Sequence, residues 1–261
     1  MSSPDPYAET LTSLAKFETF DPKAFAGDSE WPQDVCDLVL CLAMVHNDYS
    51  DVDFAFGLRN RVMPADSSVV TTEVAFHKGI GIHLGKIMAS VVHELLELLR
   101  TNAKVLESPA FQRLKKTLPK ALKPAWDDLV NSSNARPAQE IRKMLLLMAR
   151  NKVAFHYDRE DIGRSYRELF LEGQSPVPPL VSRGVSARST RFYFADAIAE
   201  RSIFRVNEEA ANDFFSGNDP ILKKINLCLY HLVTSFLMQR RSPWKEARVE
   251  DIRLPRFLGE T

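Results

Sequence analysis

Residues 69–106, VVTTEVAFHKGIGIHLGKIMASVVHELLELLRTNAKVL, decide the fold class. Val74, Leu84, Ile87, Val91, Leu95 and Leu98 fall on one stripe when the chain is wound at 3.6 residues per turn. Val92, Leu96 and Leu99 widen that stripe to the breadth a buried helix face needs. The spacing predicts one long helix over 69–106. Gly79, Gly81 and Gly85 interrupt its first half, where each costs about 1 kcal/mol relative to alanine. Glycines kept at that cost point to a close approach by another helix, or to a bend.

Upstream, Trp31, Val35, Leu38, Leu42 and Val45 repeat at the same period, with Ser29 as the expected cap and Pro32 in the first turn. The polar run His46-Asn47-Asp48-Tyr49-Ser50-Asp51 reads as the solvated end of that helix. It lacks the glycine and the distal glutamate of a calcium loop. Residues 5–26 read as a short helix and an arm. Downstream, short helices are expected at Phe111–Leu118 and Ala121–Val130, with a break at Asn131-Ser132-Ser133-Asn134. Further helices follow at Pro137–Tyr157, Glu160–Glu172 and Ile221–Met238. Residues 174–190 form a connector. Arg191–Asp196 has the aromatic density of a short strand or buried turn, and the tail from Arg240 is charged and loose. No βαβ alternation is present. The expected fold is an all-α helical bundle with a mostly helical C-terminal extension holding at most one short strand. Its divisions are an arm (1–28), a helical core (29–173) and the extension (174–261).

No apolar run reaches the length of a membrane span, and the opening MSSPDPYAET has no basic stretch followed by an apolar one. The expectation is a cytoplasmic protein without a membrane partner. Cys36, Cys41 and Cys228 have no metal-ligand spacing and read as packed, reduced thiols. Net charge is zero, yet residues 1–55 carry 11 acidic side chains and only 2 basic ones. The remainder holds 32 basic and 23 acidic groups, so a basic body is paired with an acidic leading segment.

The helix expected at 137–157 has two covered faces. With Ile141 at zero and about 100 degrees per residue, Ile141, Met144, Leu145, Met148 and Phe155 share one side. The adjoining sector runs from His156 at about 60 degrees through Ala149, Val153 and Leu146 to Arg150 at about 180 degrees. A solvent face should carry charge, and this one carries Leu146, Ala149 and Val153 instead. A second copy of the chain is the expected cover, which makes the protein a homodimer. Lys152 falls on the core side, so its stem must snorkel or the helix must distort there.

The run Arg150-Asn151-Lys152-Val153-Ala154-Phe155-His156-Tyr157-Asp158 resembles the signature of the HEPN superfamily: an Arg and a His four to six residues apart near a helix end, often with a polar residue after the Arg. The likeness covers about Ser29 to Glu172. It implies a helical bundle that cleaves RNA without a metal or other cofactor, often as a toxin held by an antitoxin or regulatory protein, or as a phage-defence effector. Arg150 and His156 would be the catalytic pair, with Asn151, Lys152, Tyr157 and Asp158 supporting. Such cleavage needs a base, an acid and a cation. Histidine serves as base or acid near neutral pH, and the planar fork of Arg grips phosphate oxygens. One chain supplies one such His; a two-fold dimer supplies two.

Two other readings fit the same residues. A non-catalytic helical module could bind a protein, nucleotide or RNA at this surface, with Arg150 merely paired to Glu94 or Glu97. A metal enzyme would use His93, Glu94 and Glu97, although His93-Glu94-Leu95-Leu96-Glu97 lacks the second histidine of a zinc helix.

Overall fold

The computed structural model describes residues 18–63, 71–135, 146, 159–175, 178–182, 191–215, 222–240 and 245–246. Among these the chain is all-α. The described residues hold nine α-helices and one two-stranded antiparallel pairing, of β1 (Glu18–Thr19) with β2 (Lys245–Glu246).

The first helix, α1 (Gln33–Val62), starts differently from its expected form. Pro32 occupies the cap position, and Ser29 makes no cap. The turn is instead set by Asp28, whose Oδ1 accepts the backbone N–H groups of Glu30 and Trp31 at 2.9 and 2.8 Å. Gln33 reaches back to accept the Gly27 N–H at 2.7 Å. Nor does α1 end at His46–Asp51. Tyr49 and Val52 are buried there, and the Tyr49 hydroxyl donates to the Leu222 carbonyl at 2.8 Å. Ser50 donates to the His46 carbonyl at 2.8 Å and accepts from the Asn226 amide at 3.1 Å. The polar run is thus a seam against the last helix rather than an end.

The glycine-bearing helix, α2 (Thr72–Thr101), is capped by Thr71, whose side chain accepts the Val74 N–H at 3.1 Å. It stops earlier than the stripe suggested. Asn102 leaves helical geometry, its amide donates to the Leu98 carbonyl at 2.9 Å, and a separate short helix follows, α3 (Ala103–Glu107). Ser108 and Pro109 then open α4 (Pro109–Lys116). In α5 (Lys123–Asn134) the expected break at 131–134 is absent. Ser133 is buried and bonds the Val130 carbonyl, which lets the serines stay helical.

After the motif region, α6 (Arg159–Tyr166) runs into a π-helical turn, Arg167–Leu171, closed by Gly173 at φ +74°, a backbone state that strains any other residue. Residues 191–196 are neither a strand nor a buried turn. Arg191 makes a single bridge to Ser182, and α7 (Tyr193–Phe204) begins two residues later with exposed Phe192 before it and Asp196 in its first turn. Helices α8 (Glu208–Phe215) and α9 (Leu222–Gln239) complete the described bundle.

The core is one continuous cluster running from Ala24 to Leu237. α9 contributes Ile225, Leu229, Leu232 and Phe236, and Phe236 meets the Trp31 ring edge-on at 5.1 Å. Arg240 is anchored rather than loose. It donates to the carbonyls of Ala24 (2.7 Å) and Ala26 (2.6 Å) and pairs with Asp28. A second polar clamp joins α6 to α7. Arg205 pairs with buried Asp161 and, at 3.2 Å, with Glu168; Arg201 holds the other Glu168 oxygen at 2.9 Å. Beneath it the buried hydroxyls of Ser165 and Ser202 share a hydrogen bond at 2.8 Å.

No described helix is long and apolar enough to cross a membrane.

Candidate functional site

Arg150, Asn151, Lys152, His156, Tyr157 and Asp158, with Ala149 and Val153 of the expected dimer face, lie outside the described residues. Leu146 is described. It is 0% exposed within the single chain and belongs to the central core cluster, so this position offers no surface to a second copy.

The residues proposed for metal do not come together. His93 is buried, while Glu97 is taken by Arg100 at 2.6 Å. Among the described residues no group of three or more His, Cys, Asp or Glu side chains could hold a metal ion. The thiols of Cys36 and Cys228 are buried against the carbonyls of Trp31 and Leu122, each at 3.7 Å. Burial pushes the Cys228 thiol up to about 11, and Cys36 is also raised, so both remain protonated.

The described polar constellation lies where α2, the end of α1 and α7 converge. Asp196, Glu200 and Phe204 recur every fourth residue on α7 and so share a face, which is turned toward Lys78, Gly79 and Ile82 of α2. Gly79 explains how charge enters this seam. A Cβ there would collide with Arg191 Nη2 and Asp196 Oδ2. The missing side chain makes room for the Arg191–Asp196 pair, closed at 3.0 Å with the guanidinium also over the Phe76 ring. Gly81 does the same for Arg59. A Cβ on Gly81 would stand 3.0 Å from the Arg59 guanidinium carbon and Nη2. These glycines thus admit charged side chains at close range.

Arg59 donates from Nε to the His77 carbonyl at 2.9 Å and from Nη1 to the Asn60 side chain at 2.7 Å. Among the described residues it has no carboxylate partner, and burial lowers its pKa. It lines a cleft of about 270 Å³ with Phe56, Lys78, Ile82, Glu200 and Phe204. On the other side of Lys78 and Glu200 lies a second cleft of about 200 Å³, bounded by Val74, Phe170, Leu180 and Tyr193. Burial lowers the Lys86 ammonium, opposed by Asp196 and reinforced by Arg191. Burial raises the Glu200 carboxyl although the residue keeps solvent contact; Lys78 opposes the shift and Asp196 adds to it.

A raised carboxyl pKa gives a definite sign. Its favourable contribution is complete below the unfolded value of about 4.5 and is lost as pH rises through the folded value. The ionised form is therefore the one the fold disfavours. Glu200→Gln should raise the melting temperature at pH 7, and the gain should disappear as pH falls below about 4.5. Thermal melts of both proteins across pH 3.5–8 check this. A gain that is unchanged in acid would assign it to some other cause.

Sequence reasoning did not single out Arg59, Lys78 or Glu200, and it read Arg191 and Asp196 only as the ends of an aromatic run. The glycines on α2 were their one trace. Comparison of the chain with protein-family models, curated proteins and solved structures finds no match.

Proposed function

We propose that this chain is a HEPN-like endoribonuclease that works without metal, with Arg150 and His156 in a composite site formed by two copies. The observation that carries the reading is the run from Arg150 to Asp158 at the end of an apolar amphipathic stretch. The all-α architecture and the excess of basic residues after position 55 are compatible with an RNA-acting bundle. Within this reading, Ala149 and Val153 face the second copy, and the protein serves as a cytoplasmic toxin or defence effector held by a regulatory partner.

The reaction divides among these groups. One His156 takes the proton from a ribose 2′-hydroxyl as that oxygen attacks the adjacent phosphorus. The bond from phosphorus to the 5′-oxygen breaks, and the His156 of the second copy protonates the departing oxygen. Arg150 offsets the charge that builds on the phosphorane oxygens. Lys152 adds attraction for the strand, and Asp158 orients the imidazole.

The test is incubation with single-stranded RNA in EDTA. Products should end in 2′,3′-cyclic phosphate, and His156→Ala should slow cleavage by about 10²–10⁴-fold. Cleavage that survives in the His156→Ala protein, or that EDTA stops, would refute the assignment. RNA bound without turnover, and released by Arg150→Gln, would make the protein a binding module instead.

A further inference from the structure

The cleft beside Gly81 has the features of a binding site that is separate from the Arg150–His156 motif. Its guanidinium is held before any ligand arrives: two hydrogen bonds fix Arg59, one to a main-chain carbonyl, and the group packs beside Gly81, where a Cβ would stand 3.0 Å from its central carbon. Among the described residues, two of its five N–H groups are committed. A part-buried cation ordinarily finds a carboxylate. Among the described residues neither Arg59 nor Lys78 is in an ion pair, whereas nearby Arg191, Arg201 and Arg205 all are. The remaining walls are apolar or aromatic: Phe56, Ile82, Ile203 and Phe204. Glu200 at the rim supplies an acceptor for a hydroxyl or amine.

A cleft that pairs a preset guanidinium and a mobile ammonium with aromatic walls suits a ligand with an anionic end and a flat, partly apolar body. At about 270 Å³ it lies just below the usual range of ligand pockets, the scale of a single small ligand and not of a strand. We propose that this cleft binds a free nucleoside monophosphate, its phosphate held by Arg59 and Lys78 and its base against Phe56 and Phe204. Arg59 provides the forked contact to two phosphate oxygens, and Lys78, exposed on α2, closes over the third. Gly81 leaves room for this seat. A Cβ there would make the guanidinium give by a few tenths of an ångström.

The test is calorimetric titration of the full-length protein carrying His156→Ala, so that the result is independent of the proposed nuclease. AMP, inorganic phosphate, adenosine and a 5′-phosphorylated oligoribonucleotide are titrated separately. Saturable AMP binding is expected, with phosphate and adenosine each at least tenfold weaker. Arg59→Gln and Lys78→Gln should each weaken AMP tenfold or more, while Arg113→Gln, at a surface guanidinium already paired with Glu30, should leave it unchanged. Lys78 is exposed, so Lys78→Gln keeps the fold even if Arg59→Gln does not. No AMP binding up to millimolar concentration, or equal binding by parent and Lys78→Gln, overturns the proposal. Phosphate binding as tightly as AMP removes the role of the aromatic walls. An oligoribonucleotide binding more tightly than AMP reassigns the cleft to RNA.

Discussion

Trp31→Ala should lower unfolding free energy by about 3–5 kcal/mol, the usual cost of deleting a large buried aromatic. Trp31 is 1% exposed and sits where the start of α1, the end of α9 and α4 meet. Its ring takes the edge of Phe236 at 5.1 Å, and the Arg113 guanidinium lies over it at 5.3 Å. Its backbone is fixed as well, with the N–H on Asp28 and the carbonyl accepting the Cys36 thiol. No neighbour can collapse into the space without breaking these contacts. Urea titration should show a lower midpoint with an unchanged slope. Phe192→Ala, at an exposed ring of the same chemical kind, should stay within about 0.5 kcal/mol of the parent. A Trp31→Ala cost under about 1 kcal/mol would mean that the α1–α9 contact is not part of the folded core.

Arg205→Met should cost a similar amount, about 3–5 kcal/mol, for a different reason. The lost guanidinium pairs with Asp161, which is 5% exposed, and shares Glu168 with Arg201. Its removal takes the Arg205 cation away from a buried carboxylate, and that loss accounts for most of the cost. Burial alone would raise the Glu168 carboxyl, but hydrogen bonds from Arg201 and Arg205 outweigh it and lower the pKa. A lowered value stabilises the fold above the unfolded pKa of about 4.5, and that contribution is lost as pH falls through the folded value. The Arg205→Met penalty should therefore be complete at pH 7 and shrink in acid. Adding Asp161→Leu to Arg205→Met should recover part of the stability, since it removes the buried carboxylate that has lost the Arg205 cation. If the double variant is less stable than Arg205→Met alone, Asp161 contributes through contacts other than this ion pair.

The helical class was legible because its signal is local. The stripe from Leu84 to Leu99 needs only the period of the helix, and α4 and α9 carry similarly short-range patterns. What was misread depends on distant partners. His46–Asp51 looks like a solvated end until Asn226 and the Leu222 carbonyl, over 170 positions away, are set against it. Leu146 looks like an intersubunit position because a covered second face does not say what covers it; at that residue the chain covers itself. The cleft was invisible for the same reason. Arg59 and Glu200 sit on helices far apart in sequence, and isolated charges have no period to detect. Only Gly79 and Gly81, which keep side chains away from the seam, left a mark on α2.

The grip of Arg240 on the turn at Ala24–Ala26 has a consequence for synthesis. Those partners are separated by 216 positions, so the Ala24–Ala26 turn lacks this fastening until Arg240 has been added. At about 5–20 residues per second that wait is on the order of 10–40 s, during which the Trp31 side of α1 is without Phe236. A nascent bundle of this kind is left open to capture by chaperones or by neighbouring polysomes. Messages cut short before codon 240 should then yield aggregates rather than a smaller soluble product.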